Sequence, residues 1–517
     1  MICGIQMGHN PSVCVYDEKL VYYNEERKLS KEKHISGIPF RCLNKLTEKK
    51  FNIKIFTATS YNFDRGELIN LKNYLISINV MRSNQDIHCW YTPHHTNHLF
   101  KSYIDSGFES ARVFVIDGRG SDWYLEDKTQ VYETTSIYDI NPYEVKCIYK
   151  KLYSKYNYKS KIDKTYHPNN NRDYIEPNPP LVNNETVFKI DDKLDLGNFY
   201  SEVSRKFGFE YEEGKFMGFQ SYGKAIDNLD VLNIKNLDIN FDVAATCQKY
   251  FEDEYLKLVE KYSTKDMIFT GGTALNVVNN YKLKNKFKES NIFFDPLCGD
   301  EGASIGAVYS YLYSKKIKPK PLNNIYLGEK IKTPSKAKSS SIDKVIDLLN
   351  EGQVVGLIQG KAEAGPRALG NRSLLLDPTK RNCKDIMNEI KQRESFRPFA
   401  CSITESATQD FFYMEGIRKS PYMMYAPQAK EKAKVMIPGL IHVDNTCRVQ
   451  TVTEEDNKFL YNLLQKFKLP ILMNTSFNLA GYPLVETIDD VLFCLDKSKL
   501  NYVYFADDDK LLIHGRE

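Results

Sequence analysis

The run Val113-Phe-Val-Ile116, which passes directly into Asp117-Gly-Arg-Gly120, limits the fold more than any other stretch of this chain. A short apolar run of β-branched and aromatic residues reads as a buried strand, and it delivers Asp117 into a glycine turn at its end. Upstream lies Thr92-Pro-His-His-Thr-Asn-His-Leu-Phe100, so that His88, His94, His95 and His98 crowd one short segment of a chain with only nine histidines. On a helix His94 and His98 share a face and can reach one ion, while His95 points elsewhere. With Asp117 as a third ligand, two imidazoles and a hard carboxylate suit Fe(II), with Zn, Mn or Co as competitors. The other reading is a surface helix with solvated histidines.

Around this stretch the pattern is of strands that end in polar turns. Met1 to Met7 and Val13 to Tyr16 are apolar runs joined by Gly8-His-Asn-Pro-Ser12, a turn whose amides and Ser12 can hold phosphate oxygens. Lys19 to Asn24 reads as a third strand, and Glu25-Glu-Arg27 through Lys33-His34 sets charges at its end, where the alternative is a solvated edge. Leu196 to Gly208 has helical spacing, and Glu213-Gly-Lys-Phe-Met-Gly218 puts Lys215 between glycines, within reach of a phosphate. Met267-Ile-Phe269 runs into Gly271-Gly-Thr-Ala-Leu-Asn276, a strand, a close-approach turn and a helix start where a nucleotide can lie against bare backbone. Ile292-Phe-Phe294 leads on to Asp300 at another such turn, which makes Asp300 a candidate fourth metal ligand or a helix N-cap.

At 517 residues the chain exceeds one core, and two domains are expected. The Lys-, Pro- and Ser-rich stretch 315–341 marks the seam, giving an N-terminal domain over 1–320 and a C-terminal one over 321–517. A net charge of only +4 means that any nucleic-acid contact is local. Eleven cysteines without a C-x-x-C pair argue for reduced, buried thiols and a cytoplasmic setting. The N-terminus lacks a basic leader and no run is long enough for a membrane span, so it reads as a first core strand.

In the second domain a helix through Ile342 to Leu349 and a strand Val354 to Ile358 precede the basic segments. These are Lys361-Ala-Glu-Ala-Gly-Pro-Arg367-Ala-Leu-Gly-Asn-Arg372-Ser, then Lys391-Gln-Arg393-Glu-Ser-Phe-Arg397, and Asn474-Thr-Ser-Phe-Asn478. Guanidinium groups fixed beside Gly and Pro suit a polyanionic substrate, the alternative being a surface salt-bridge face.

Taken together, these motifs resemble the NodU/CmcH O-carbamoyltransferase family, which includes the tobramycin-type carbamoyltransferases. Agreement is closest over Gly-Pro-Arg-Ala-Leu-Gly-Asn-Arg-Ser (365–373), Arg-Glu-Ser-Phe-Arg-Pro-Phe-Ala (393–400), Val-Asp-Asn-Thr-Cys-Arg-Val-Gln (443–450) and Asn-Thr-Ser-Phe-Asn (474–478). The resemblance implies an α/β chain with an actin-like (ASKHA), duplicated N-terminal domain, similar to that of the tRNA threonylcarbamoyl-transferases, and a C-terminal YrdC-like α/β domain. It further implies that carbamoyl phosphate and ATP, with Mg, give carbamoyl-adenylate, whose carbamoyl group passes to an acceptor hydroxyl beside a bound iron.

Carried over, the metal ligands become His94, His98, Asp117 and Asp300. Gly8, Ser12, Asp117, Gly118, Gly120, Gly271, Gly272 and Asn276 would face the nucleotide. Lys361, Arg367, Arg372, Lys391, Arg393, Arg397, Arg448, Asn474, Ser476 and Asn478 would hold carbamoyl phosphate and ATP, and Lys33 and Lys215 would join the catalytic groups. A base must also take the acceptor's proton, and His9, beside a glycine in the phosphate-side turn and with an unperturbed pKa near neutrality, is the candidate, an oriented hydroxyl with metal help being the alternative.

Two departures bear on the acceptor: Asn10 stands where the family often has Asp, and the segment between Asp117 and Leu196 is longer than expected. That length reads as a Lys/Tyr-rich insertion over about 140–192, whose residues 146–166 interleave charge with flat rings in the manner of a nucleic-acid surface, against the alternative of a low-complexity loop. The acceptor favoured on that basis is the hydroxymethyl group of a 5-hydroxymethylpyrimidine in DNA or nucleotide. The alternatives are a sugar or antibiotic-like metabolite, tRNA threonylcarbamoyl-adenosine synthesis, and a non-enzymatic ATP-binding regulator. A homodimer stays open.

Overall fold

The computed structural model describes residues 1–60, 65–89, 94–124, 129–154 and 185–515. Two mixed sheets of the N-terminal half repeat one topology. In the first the strands lie in the order Lys19–Glu25, Ser12–Asp17, Ile2–Gln6, Ile55–Thr59, Ile87–Cys89, the first three antiparallel to their neighbours and the last two added in parallel. In the second the order is Val145–Tyr153, Gln130–Ile140, Ala111–Ile116, Asp266–Thr270, Asn291–Phe294, with the same senses. Val187–Asp191 extends this second sheet beyond Val145–Tyr153.

A helix passes from each sheet to the other. His94–Ser106 follows the first sheet in sequence but packs on Ala111–Ile116 and Asp266–Thr270 of the second. Ala303–Ser314 follows the second but packs on Ile2–Gln6, Ser12–Asp17 and Ile55–Thr59 of the first. The two helices cross in direct contact: a Cβ on Gly306 would lie 2.2 Å from the Asn97 carbonyl oxygen, so a glycine is required there. Each helix is buried on nearly every face, and the start of the first meets the turn before the second, with His94 Nε2 3.0 Å from Asp300 Oδ1.

The C-terminal sheet has eight strands in the order Lys338–Ser339, Lys510–Ile513, Tyr502–Phe505, Val355–Ile358, Arg372–Leu376, Ile471–Ser476, Ala400–Thr404, Arg448–Val452. Helix Ile342–Asn350 begins with Ser341, whose hydroxyl caps the Lys344 amide. One continuous apolar cluster joins Phe269 and Phe294 of the second sheet to Phe399 and Tyr425 of the C-terminal part, so the two halves share a core.

In the charged stretch after the third strand Glu25, Glu26, Arg27 and Lys28 are buried, which sets aside the alternative of a solvated edge for these four, whereas Lys31, Glu32 and His34 are exposed. The Glu25 carboxylate accepts the Gly365 N–H and contacts Arg27 and Lys28, the Lys28 ammonium reaches the Glu363 carbonyl, and Arg27 also faces Glu301. The expectation of an insertion over the whole of 140–192 is corrected, because Val145–Tyr153 and Val187–Asp191 are strands of the second sheet. Lys150 and Lys151 turn inward onto Glu133 and Asp195, which leaves no nucleic-acid surface at those two positions. Residues 155–184 of that Lys/Tyr-rich stretch, with Asn169 to Asn171, lie outside the described residues, as do Thr92 and Pro93. Among the described residues no helix is long and apolar enough to cross a membrane.

Candidate functional site

Asp117, His94, His98 and Asp300 converge in the cleft. One ligand atom from each lies within 4.8 Å of all the others, the one such group of three or more potential ligands among the described residues. His94 Nε2 is 3.0 Å from His98 Nε2 and 3.0 Å from Asp300 Oδ1, and His98 Nε2 is 3.6 Å from Asp117 Oδ2. Bonds of about 2.1 Å to a single ion put neighbouring ligand atoms roughly 3.0–3.4 Å apart, so the four side chains fit an ion among them. Burial pushes the pKa of both imidazoles below the usual histidine range, which favours the neutral, metal-binding form, and raises that of Asp300.

The Asp117 carboxylate is aimed. Its Oδ1 accepts the N–H groups of Gly118 at 2.8 Å and Gly272 at 3.1 Å, which leaves Oδ2 for the imidazoles. Gly271 makes this approach feasible, with φ +84° and an added Cβ only 2.4 Å from the Ile116 carbonyl oxygen. His9, half-buried, points Nδ1 at Asp300 Oδ2 across 3.4 Å, and its Nε2 is shielded from solvent without a hydrogen-bond partner. Burial works to lower the His9 pKa, but the hydrogen bond and charge of Asp300 outweigh it and hold the value above the ordinary one.

Other expected contacts are taken up differently. Ser12 is fully buried, and its hydroxyl donates to the Glu301 carbonyl and meets Ser304 Oγ. Asn276 caps the helix Val277–Lys286 through Oδ1 and pairs with Gln248. Gly8 has φ +94° and pairs with Gly37. Lys33 and Lys215 both bind Glu212, and Lys215 also reaches Glu394 at 2.9 Å.

In the C-terminal half the expected polyanion contacts divide in two. Arg372 donates to the carbonyls of Gln359, Asn371, Glu329 and Gly360, and fully buried Asn474 binds Ser402 and Gln450. Both brace the sheet through these bonds. Lys361 is exposed on the strand Lys361–Glu363.

The second group stays together. Arg367, Lys391, Arg393, Arg397 and Arg448 feel one another's charge: burial, then neighbouring guanidinium groups, push Lys391, Arg393 and Arg367 well below their ordinary pKa values, and Arg448 to about 10. Lys391 is held by the oxygens of Ser476 and Asn478, and Arg367 donates to the Leu275 carbonyl, beside the Gly271–Asn276 turn of the other half. Five cations in partial or full burial, with Glu394 beside Arg397 as the carboxylate in ion-pair contact with them among the described residues, suit an anion. Sequence reasoning missed Glu133, Ser121 and Glu301, whose partners lie far off in the chain or in another strand.

The carbamoyltransferase N-terminus family matches residues 226–309 and the carbamoyltransferase C-terminus family matches residues 346–509. A Synechocystis sp. protein without assigned function is 34% identical over 51% of this chain, and the chain spans only 51% of that relative. An uncharacterized Methanocaldococcus jannaschii protein is 30% identical over 99% of this chain and 98% of its own length. The 3'-hydroxymethylcephem-O-carbamoyltransferase of Amycolatopsis lactamdurans is 32% identical over 44% of this chain and 45% of that enzyme. On these likenesses the chain belongs to the NodU/CmcH family of O-carbamoyltransferases that its motifs resemble.

Proposed function

We propose that this transferase makes carbamoyl-adenylate from carbamoyl phosphate and ATP in a YrdC-like C-terminal domain, 321–517, and passes the carbamoyl group to an alcohol in an actin-like N-terminal domain, 1–320. The carrying observation is the pairing, across one shared core, of the His94, His98, Asp117, Asp300 cluster with a group of cations of which Arg367 and Lys391 are buried and Arg393, Arg397 and Arg448 half-buried. The repeated strand order of the two N-terminal sheets supports the actin-like reading.

In this account the cations hold the phosphate groups while water releases inorganic phosphate from carbamoyl phosphate and the carbamate oxygen attacks the ATP α-phosphorus, expelling pyrophosphate; adenylation gives a weak electrophile a good leaving group. A divalent ion, Fe(II) by its match to two imidazoles and two carboxylates, would act as a Lewis acid toward charge developing on oxygen. In transfer the acceptor oxygen bonds to the carbamoyl carbon, the bond from that carbon to the adenylate oxygen breaks, and AMP leaves. His9, oriented through Nδ1 by Asp300, takes the hydroxyl proton on Nε2.

For the acceptor we adopt a hydroxymethyl group on a small molecule. The Amycolatopsis relative is named for such a substrate, and the inward turn of Lys150 and Lys151 withdraws part of the support for a polynucleotide. The test is a mass-spectrometric screen with carbamoyl phosphate, ATP and Fe(II) across hydroxymethylated small molecules, sugars, 5-hydroxymethylpyrimidine nucleotides and hydroxymethylated DNA. Gain of one carbamoyl group on a small molecule supports the reading, and product on DNA alone overturns this choice of acceptor. His9→Asn should keep adenylate formation and lose transfer; equal loss of both would remove His9 as the base.

A further inference from the structure

Behind the four converging side chains lies a buried ion pair that the reaction does not use. Glu133, fully buried in the strand Gln130–Ile140, faces Lys150, equally buried in the neighbouring strand Val145–Tyr153. The Lys150 ammonium has three partners, the Glu133 carboxylate, Ser136 Oγ at 2.8 Å and Tyr138 Oη at 3.4 Å, and lies over the Trp123 ring at 5.2 Å. A pair taken this far from water is costly to form, so its retention calls for an account.

The other oxygen of Glu133 supplies one. Glu133 Oε1 accepts the N–H of His95 at 3.3 Å and the N–H of Ser121 at 3.1 Å. Ser121 Oγ in turn accepts the His94 N–H at 2.6 Å, and His95 Nδ1 meets Ser136 Oγ at 2.9 Å. The first amides of a helix have no partner within it, and here the first two of His94–Ser106 are taken by Ser121 and Glu133, with a carboxylate at the positive end of the helix. The Glu133 carbonyl also accepts the Gly120 N–H, and Gly120 has no room for a side chain, since a Cβ would stand 2.4 Å from Glu133 and 2.7 Å from the His95 ring. One residue thus grips both segments that carry the candidate ligands: the helix bearing His94 and His98, and the turn that begins with Asp117.

We propose that Glu133, charged and directed by Lys150, is the positioning residue of the metal centre, fixing the helix start and the Asp117 turn at the separation one divalent ion needs. The proposal rests on the reading of His94, His98, Asp117 and Asp300 as a metal site, and extends it to residues that never touch the ion. Outer groups that orient ligands commonly change metal affinity by about 10- to 100-fold when replaced.

The test uses Co(II) as the probe, with affinity measured by chelator competition and coordination read from the visible absorption bands. In Glu133→Gln/Lys150→Met the charge is removed from both partners together, so no lone ion is left buried. The parent should bind one Co(II), and the double variant should bind it about 10- to 100-fold more weakly, with altered bands, while the metal-free melting temperature stays within a few degrees. Parental affinity and bands in the double variant overturn the proposal. If that variant does not fold, Ser121→Ala decides, because it removes only the oxygen that holds the His94 amide: weaker Co(II) binding with altered bands upholds the proposal, and parental binding overturns it. A parent that binds no Co(II) overturns the metal reading itself, and the proposal with it, a result distinct from parental binding in both variants.

Discussion

Arg448 should weaken the protein when it is empty and strengthen it when it is loaded. Among the described residues the carboxylate in ion-pair contact with the five clustered cations is Glu394, 3.8 Å from Arg397 and already shared with Lys215. Burial, and after it the charge of Arg397, bring Arg448 down to about 10, and the charge of Arg448 in turn lowers Arg367. Arg448→Met keeps most of the side-chain bulk and removes one repelled charge, so the ligand-free melting temperature should hold or rise. Ligand binding should move the other way. A hydrogen bond to a charged group contributes about 1.5–3 kcal/mol, which corresponds to a dissociation constant raised roughly 10- to 150-fold. At a ligand concentration 100 times the parental Kd, the parent gains about 2.7 kcal/mol, whereas a variant weakened about 50-fold gains about 0.6 kcal/mol. Differential scanning fluorimetry with ATP or carbamoyl phosphate, backed by calorimetric titration, reads both effects. A variant that melts lower when empty yet keeps the parental ligand shift would refute the anion-site reasoning, since Arg448 would then be a structural cation with a hidden partner.

Three further outcomes are expected. Gly271→Ala meets both a left-handed backbone and the Ile116 carbonyl at 2.4 Å, so it should cost about 1–2 kcal/mol from the backbone alone and more from the overlap, seen as a lower urea midpoint. Arg27→Met leaves Glu25 and Glu301 buried around a lost cation and should destabilise by about 3–5 kcal/mol; a midpoint shift below about 1 kcal/mol would show that Lys28 alone compensates the pair. Glu212, set between Lys33 and Lys215, has its pKa lowered to about 2 by their hydrogen bonds and charges despite partial burial. A depressed folded-state value means that its contribution is complete above the unfolded value near 4.5 and fades as pH falls toward 2, so the gap in melting temperature between the parent and Glu212→Gln should shrink over that window, and a gap that widens on acidification would contradict the assignment.

Much of the cleft was legible because its signals are local. His94 and His98 share a face by helical spacing, Asp117 and Asp300 each follow a strand by a turn, and the fold brings all four together. The buried polar framework was not legible, because each charge is neutralised from a distance. Lys150 and Lys151 belong to a run that reads as basic and solvated until Glu133 and Asp195 are set beside them by strand pairing, in a stretch where the register against Gln130–Ile140 shifts between Glu133 and Thr135. The apolar flanks Cys147-Ile-Tyr149 and Leu152 were the available sign of a buried strand. Glu25, Arg27 and Lys28 mislead in the same way, since groups that receive them, Glu301, Glu363, Gly365 and Glu486, lie hundreds of positions on. Among the arginines, Gly and Pro neighbours could not separate Arg372, whose guanidinium donates to four carbonyls, from Arg367, and Arg448, between Cys447 and Val449, carries no such neighbours.

The most direct measurement follows the adenine nucleotide when purified protein is given ATP and Mg, with and without carbamoyl phosphate, and without an acceptor. The account predicts pyrophosphate, and AMP as water hydrolyses the adenylate in place of the acceptor, only when carbamoyl phosphate is present, with formation lost in Arg448→Met at limiting substrate. Release of ADP instead, or AMP formation that ignores carbamoyl phosphate, would contradict the adenylate route at its first step.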